Sequence, residues 1–159
     1  MSGVENDTLV EAPPARVWRL LTDFAHYRDW HPFNRITGEA RQGAAIDYQY
    51  TSTLVTKRAR HSPATISRLE PNAVLEWETG IRHVFQHIES YELTPDPKGT
   101  RLRHRIEYRG ALAWLMRGRP SKQAHARICE TDAALRSYLT QKKPSTAHRP
   151  ANRPSRRRR

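Results

Sequence analysis

The sequence predicts an α+β domain in which a long C-terminal helix covers one face of an antiparallel sheet. Apolar residues recur at helical spacing near the N-terminus, alternate with polar residues from about residue 35 to 110, and return to helical spacing over residues 121–141. Strands that are clustered together, with helices before and after them, are typical of a sheet packed against helices within one domain.

The first predicted elements are a short strand at residues 8–11 and two short helices. Pro13 and Pro14 suit the first turn of a helix, because the missing N–H groups there remove no hydrogen bond. The apolar stripe of this first helix consists of Val17, Leu20, Leu21 and Phe24. Residues 27–30 are predicted to form a second helix that stops before Pro32, since the residue before a proline avoids helical angles.

Alternation with a period of two predicts about six antiparallel strands between residues 35 and 110. Two of them, at residues 83–93 and 100–110, flank the turn sequence PDPKG and form a predicted hairpin. The residues that mark the inner faces of the strands are Ile46, Tyr48, Tyr50, Ala64, Ile66, Leu69, Leu75, Trp77, Leu102, His104, Ile106 and Tyr108.

The long helix at residues 121–141 is predicted to be amphipathic. Its buried side comprises Ala124, Ile128, Leu135, Tyr138 and Leu139. Its solvent side comprises Lys122, Arg127, Glu130 and Arg136. Cys129 lies next to Ile128 and is predicted to be a small packing residue rather than a nucleophile.

The net charge of +12 is concentrated at the end of the chain. Residues 142–159 hold 8 of the 28 lysines and arginines and no acid, leaving 20 basic against 16 acidic side chains in the rest. This segment has no large apolar residue, so we expect one domain at residues 1–141 and a disordered basic tail after it. The closing residues predict a weak contact with a polyanion, although a solvated tail without a partner explains the same composition. These residues are Arg156, Arg157, Arg158 and Arg159.

The composition also predicts where the protein resides. No apolar run approaches the roughly 20 residues that a membrane-spanning helix requires. The acidic N-terminal stretch lacks the basic and then apolar order of a secretory signal. A single cysteine excludes an internal disulfide, so we expect a cytoplasmic protein in a reducing compartment.

Three stretches, in this order, resemble the START-like or SRPBCC superfamily, of polyketide cyclase/dehydrase type: APPARVWRLLTDFAHYRDWHPF, LEPNAVLEWETG and YELTPDPKGTRLRHRIEYRG. The first stretch typically ends in WNPF in that superfamily, so His31 stands here in place of asparagine. The resemblance covers residues 8–140. It implies a helix-grip fold, like that of START and Bet v 1 proteins, with a curved sheet of about six to seven strands around the C-terminal helix. It also implies an apolar cavity, in which members bind lipids, sterols, hormones or polyketides and a minority catalyse cyclisation or dehydration.

A group of polar side chains is predicted to face this cavity. The strand at residues 83–93 has its large apolar residues at odd positions, so His87 and Glu89 are predicted to face inward, with His104 beside them. His87, Glu89 and His104 are the candidate catalytic residues, because a carboxylate beside a histidine raises its basicity. The predicted ligand-binding residues are Tyr48, Tyr50, Trp77, Phe85, His87, Glu89, Tyr91, His104, Ile106, Tyr108, Ile128 and Leu135.

Three functions remain open from the sequence. The first is binding of a hydrophobic or aromatic small molecule, lipid-like or polyketide-like, in the cavity. The second is an enzyme that resembles aromatase/cyclases or dehydratases and uses the histidine and glutamate pair. The third is association with nucleic acid or an anionic surface through the basic tail. The polar residues could also satisfy one another without any ligand chemistry, since buried polar groups are paired somewhere.

Neither a metal nor a cofactor is predicted. Four residues along a strand span roughly 13 Å, which is too far for His83 and His87 to share one ion. The sequence leaves the oligomeric state open. His31 is predicted to touch a ligand if the corner after the second helix lies at the mouth of the cavity.

Overall fold

The computed structural model of the chain describes residues 2–51, 59–115 and 122–141. The strands are β1 (Ser2–Val10), β2 (Asn34–Thr37), β3 (Ala45–Thr51), β4 (Ala59–Glu70), β5 (Val74–Ile81), β6 (Phe85–Asp96) and β7 (Gly99–Arg109). The helices are α1 (Pro14–Thr22), α2 (Tyr27–Trp30), α3 (Ala111–Leu115) and α4 (Lys122–Gln141), and a 3-10 turn at Phe24–His26 joins α1 to α2. The predicted tail at residues 142–159 lies outside the described residues.

All the described strands belong to one antiparallel sheet with the order β1-β7-β6-β5-β4-β3-β2. The sheet curls as a half-barrel, and α4 lies against its inner face. This arrangement is the helix-grip fold, so the predicted α+β class and architecture are confirmed. Among the described residues, no helix is long and apolar enough to cross a membrane.

The first strand is longer than the predicted segment at residues 8–11. It pairs with β7 along its whole length, and acidic residues of β1 meet basic residues of β7 on the solvent side. The Arg103 guanidinium lies 3.3 Å from the Asp7 carboxylate, and that of Arg105 lies 3.0 Å from Glu5. An edge strand of this kind is held by its neighbour and by cross-strand pairs, so it needs little apolar alternation of its own.

Local features of the turns explain details of the pattern. The register of β4 against β5 shifts between Ile66 and Arg68, which is why Leu69 rather than Arg68 continues the apolar face. At the PDPKG turn, Gly99 has a φ of 142°, and an added Cβ would collide with the Val10 carbonyl oxygen. The close passage of the chain after β1 therefore requires glycine at the start of β7.

The solid part of the core fills one end of the space between sheet and helices. Val17 and Leu21 of α1, with Tyr27 of α2, pack against the sheet, and each is fully buried. The second half of α4 contributes Leu135 and Leu139 to the same cluster. The first half of α4 stands over the other end of the sheet, where the interior is not filled.

Candidate functional site

A cavity of about 380 Å³ lies between the sheet and the first half of α4. This volume is near the lower end of the range for ligand pockets in proteins, which is about 300–1,000 Å³. Its wall combines aromatic, aliphatic and polar side chains. The lining residues are His31, Phe33, Asn34, Tyr48, Tyr50, Ser62, Thr79, Gly80, Phe85, His87, Glu89, His104, Ile106, Tyr108, Gln123, Ala124, Arg127, Ile128 and Thr131.

Most of the predicted ligand-binding residues line this cavity. They are Tyr48, Tyr50, Phe85, His87, Glu89, His104, Ile106, Tyr108 and Ile128. Trp77, Tyr91 and Leu135 do not line it; they lie in the solid core with no exposed surface. Their faces were read correctly, but α1 and the second half of α4 cover the end of the sheet at which they sit. Periodicity gives the face of a residue and not its position along the cavity.

A chain of buried ionisable groups runs from the wall of the cavity into the core, and Tyr48, Glu89 and His104 are its members on the wall. His104 Nδ1 lies 2.9 Å from Asp132 Oδ1, and His104 Nε2 lies 3.2 Å from Glu89 Oε1. Glu89 also accepts hydrogen bonds from the hydroxyls of Tyr91 and Tyr48, at 3.1 and 3.0 Å. The side chains of Glu89, His104 and Asp132 are each about 1% exposed.

The geometry fixes the protonation of His104. Both ring nitrogens face carboxylate oxygens, so both carry hydrogen and the ring is an imidazolium. Burial opposes this charge, but hydrogen bonds and charges from Asp132 and Glu89 outweigh it and raise the pKa of His104 to about 9. Burial likewise opposes the charge of Glu89, yet the hydrogen bond from His104 lowers its pKa to about 2. With no lone pair available, His104 cannot act as a general base in this state.

This imidazolium should make the stability of the protein fall at alkaline pH. Because the pKa of His104 is higher in the folded chain than the unfolded value of about 6.5, the stabilisation is complete below that pH. It is lost as the pH rises through about 9. Urea unfolding measured across this range should show the decline, and NMR should show His104 titrating at its upper end. A free energy of unfolding that stays flat over this range would contradict the assignment.

Asp132 completes the network and was not identified from the sequence. Its other carboxylate oxygen accepts a hydrogen bond of 2.7 Å from the Asn6 side chain on β1. The signal was present, because Asp132 lies four residues after Ile128 and three before Leu135, on the buried stripe of α4. A charged residue on such a stripe predicts a buried partner of opposite charge.

His31 is buried at the corner between α2 and β2, with 2% of its surface exposed, and it lines the cavity. Its Nδ1 accepts hydrogen bonds from the backbone N–H groups of Phe33 and Asn34, at 3.2 and 3.1 Å. The histidine therefore takes over the local turn bonding for which asparagine is suited. Burial lowers the pKa of His31 to about 3, so the ring is neutral. With Nδ1 as acceptor, the proton is on Nε2, which is buried without a partner among the described residues.

His87 is the second neutral imidazole of the cavity. Its ring lies between those of Tyr48 and Tyr108, with centroid distances of 6.2 and 5.4 Å. Burial lowers the pKa of His87, and its Nδ1 has no hydrogen-bond partner within the described ranges. His87 and His104 thus differ in state, because only His104 has carboxylates against both nitrogens.

The expectation that Arg127 lies on the solvent side of α4 is wrong. Its side chain is half-buried and lines the cavity, and the guanidinium carbon lies 4.5 Å from the centre of the Phe33 ring. The first half of α4 faces a cavity rather than a packed sheet, so a long polar side chain can bury its stem there. Gln123 and Thr131 also line the cavity. The sequence did not identify them, because a polar residue on an amphipathic helix predicts exposure to solvent.

His83 lies outside the site. It has a φ of 66° and belongs to the turn before β6, whereas the sequence placed it on the strand. Asparagine, aspartate and histidine tolerate this conformation better than most residues. In the part of the chain that the structure describes, no group of three or more His, Cys, Asp or Glu side chains could hold a metal ion.

Solved structures share this fold at low sequence identity. A protein of Rhodobacter sphaeroides is 19% identical, with a TM-score of 0.69 and coverage of 89% of this chain and 94% of that one. DynU16, from the dynemicin biosynthetic locus, is 20% identical with a TM-score of 0.67, covering 91% of this chain and 49% of its own. The di-domain ARO/CYC protein StfQ from the steffimycin biosynthetic pathway is 14% identical with a TM-score of 0.67, covering 87% and 51%.

The family assignment comes from the sequence match. No curated protein matches the chain significantly. The family described as "Polyketide cyclase / dehydrase and lipid transport" matches over residues 1–135. This match includes the α2–β2 corner, β1 to β7 and the part of α4 that lines the cavity. The chain therefore belongs to the polyketide cyclase/dehydrase and lipid transport family, of the SRPBCC type.

Proposed function

We propose that the protein binds an aromatic or otherwise apolar small molecule in the cavity between the sheet and α4. The observation that carries this proposal is a cavity of about 380 Å³ with an aromatic wall and buried polar atoms that have no partner within the described residues. Buried polar groups are almost always hydrogen-bonded, so the unpaired nitrogens of His31 and His87 indicate that a partner arrives with a ligand. The family description, which joins cyclases, dehydrases and lipid transport, supports a ligand-binding role.

The wall supplies the affinity and the polar groups supply orientation. Phe85 and Tyr108 stack with a centroid distance of 5.9 Å, and Tyr48 and Tyr50 stack at 5.7 Å on another part of the wall. Apolar ligand surface buried between such rings contributes about 25 cal/mol per Å². A flat ring system is the shape that such a wall contacts best.

Filling the cavity from α4 should weaken ligand binding. Ala124 lines the cavity, whereas Ala126 on the same helix is exposed. We expect Ala124→Phe to weaken binding of the neutral fluorophore N-phenyl-naphthylamine more than tenfold, because the new ring occupies the ligand volume. The measurement is a fluorescence titration of the purified protein.

The matched control is Ala126→Phe, which adds the same ring on the solvent side of α4. It should leave the affinity unchanged. Equal affinities in both variants, or no binding of the fluorophore by the unmodified protein, would remove the support for a ligand cavity.

A second candidate function is proton transfer on a bound ketone, as in cyclisation or dehydration. The observation that favours it is His87, a neutral imidazole with an unpaired nitrogen at the cavity. His87, and not His104, would be the base. Exchange of the α-hydrogens of tetralone in D2O, followed by NMR, should be faster with the protein than in buffer and should fall to the buffer rate in His87→Gln. No acceleration by the unmodified protein would end this candidate.

A further inference from the structure

We infer that the ligand is an aromatic acid, with its ring against the aromatic wall and its anionic oxygen held by the Nε2–H of His31 and the guanidinium of Arg127. This inference rests on the proposed function and narrows it to a class of ligand. The simplest such ligand is an aromatic carboxylate.

The first donor is fixed by hydrogen bonds on the far side of the ring. His31 Nδ1 accepts hydrogen bonds from the N–H groups of Phe33 and Asn34. The hydrogen of the neutral ring is therefore on Nε2, on the opposite side of the ring. Nothing in the described part of the protein accepts that hydrogen, although the residue is almost completely buried at the cavity. A buried donor left unsatisfied costs about 1–3 kcal/mol, which an acceptor oxygen on the ligand would remove.

The second donor is a cation without an acid beside it. The Arg127 guanidinium lies against the face of the Phe33 ring, and no carboxylate of the described residues lies within ion-pair distance of it. Phe33 also donates its backbone N–H to His31 Nδ1. The His31 ring and the Arg127 guanidinium therefore both contact Phe33, at the corner between α2 and β2. A guanidinium favours a carboxylate because its planar N–H groups match both oxygens.

The acids of the cavity do not compete for these donors. Both oxygens of Glu89 already accept hydrogen bonds, from His104, Tyr91 and Tyr48, and both oxygens of Asp132 accept one each, from His104 and Asn6. A cationic ligand would find no free carboxylate at the cavity and would face Arg127. An anionic oxygen therefore fits the two open donors, His31 Nε2–H and the Arg127 guanidinium. Asn34 Oδ1, an acceptor that is buried at the cavity without a partner among the described residues, would instead take a hydrogen bond from a donor on the ligand.

The test compares two ligands of the same shape. Naphthoate and naphthamide share the double ring and differ in the charge of the polar group, and each can be titrated against protein carrying N-phenyl-naphthylamine. We expect naphthoate to displace the fluorophore at a concentration at least tenfold lower than naphthamide does.

Variants assign that preference to the two donors. Arg127→Gln should remove at least tenfold of the naphthoate affinity, while Arg136→Gln, on the exposed side of α4, removes the same charge and should change nothing. His31→Asn should also weaken naphthoate binding, because asparagine can keep the turn but its side chain is too short to place a donor in the cavity. Thermal unfolding of each variant shows that the fold is intact.

The outcomes separate this inference from the proposed function. If naphthamide binds as tightly as naphthoate, or if Arg127→Gln behaves like Arg136→Gln, the aromatic-acid inference is overturned while the ligand cavity stands. If the fluorophore binds and naphthoate does not displace it, the inference is likewise overturned. If the fluorophore itself does not bind, the proposed function fails and the inference fails with it.

Discussion

Replacing Asp132 by alanine is expected to lower the free energy of unfolding by about 3–5 kcal/mol. The substitution leaves the His104 imidazolium buried with one of its two carboxylates missing, and it strands the Asn6 amide as well. Removing one partner of a buried ion pair costs more than the pair itself contributes, because an uncompensated charge remains in the interior. Since a domain of this kind has a stability of about 5–15 kcal/mol, the variant should unfold at a much lower urea concentration.

The matched control is Glu130→Ala, which removes an exposed acid from the same helix. It should change the free energy of unfolding by no more than about 0.5 kcal/mol. Urea unfolding of both variants, with unchanged dependence on denaturant, provides the comparison. If Asp132→Ala were as mild as Glu130→Ala, the buried network would not exist in solution.

Replacing Leu135 by alanine is expected to cost about 2–5 kcal/mol of stability and to leave ligand affinity unchanged. Leu135 is fully buried in the solid core, away from the cavity, so the change opens a void without altering the ligand site. Ile106 lines the cavity and is only half-buried, so Ile106→Ala should cost less stability and weaken fluorophore binding. The two measurements are urea unfolding and fluorescence titration on the same preparations.

The opposite pattern would place the cavity at the other end of the sheet. Weaker fluorophore binding in Leu135→Ala, with unchanged binding in Ile106→Ala, would mean that Leu135 contacts the ligand, as the sequence pattern predicts. The cavity under the first half of α4 would then not be the ligand site.

The fold could be predicted because its signals are local. The proline pair before α1, the period of two along β3 to β7 and the PDPKG turn each reflect a backbone preference that is readable in a few residues. β1 was read too short because its polar residues are held in place by the arginines of β7, which lie about 100 residues away in the chain. Pairing over that distance leaves no mark on the alternation of the strand itself.

The site was only partly predictable, because its chemistry depends on which groups meet. His87 and His104 look alike in the sequence, since each sits on an inward-facing strand position. Their protonation states differ in the structure because Asp132 places a second carboxylate against His104. Asp132 makes no such contact with His87. Arg127 was assigned to solvent because helical periodicity treats every polar residue as exposed, and it does not register that a cavity lies under half of the helix.

The role of His31 shows what resemblance to a family can and cannot supply. The resemblance identified the position, because asparagine is usual there, and the structure shows that Nδ1 takes over the turn hydrogen bonds. The consequence that matters for function, a donor at Nε2 directed away from the turn, follows from the size and tautomer of the ring. It depends on the contacts of the ring with the backbone of Phe33 and Asn34, which the sequence alone does not specify.

The central claim is that the cavity between the sheet and α4 holds the ligand, and NMR tests it most directly. Titration of naphthoate into the labelled protein should shift the amide signals of residues around the cavity, including His31, His87, Tyr108 and Arg127. The protein also exposes apolar side chains away from the cavity wall, among them Ile81, Val84, Leu112 and Leu115. Shifts confined to those exposed residues, with the cavity signals unmoved, would contradict the account.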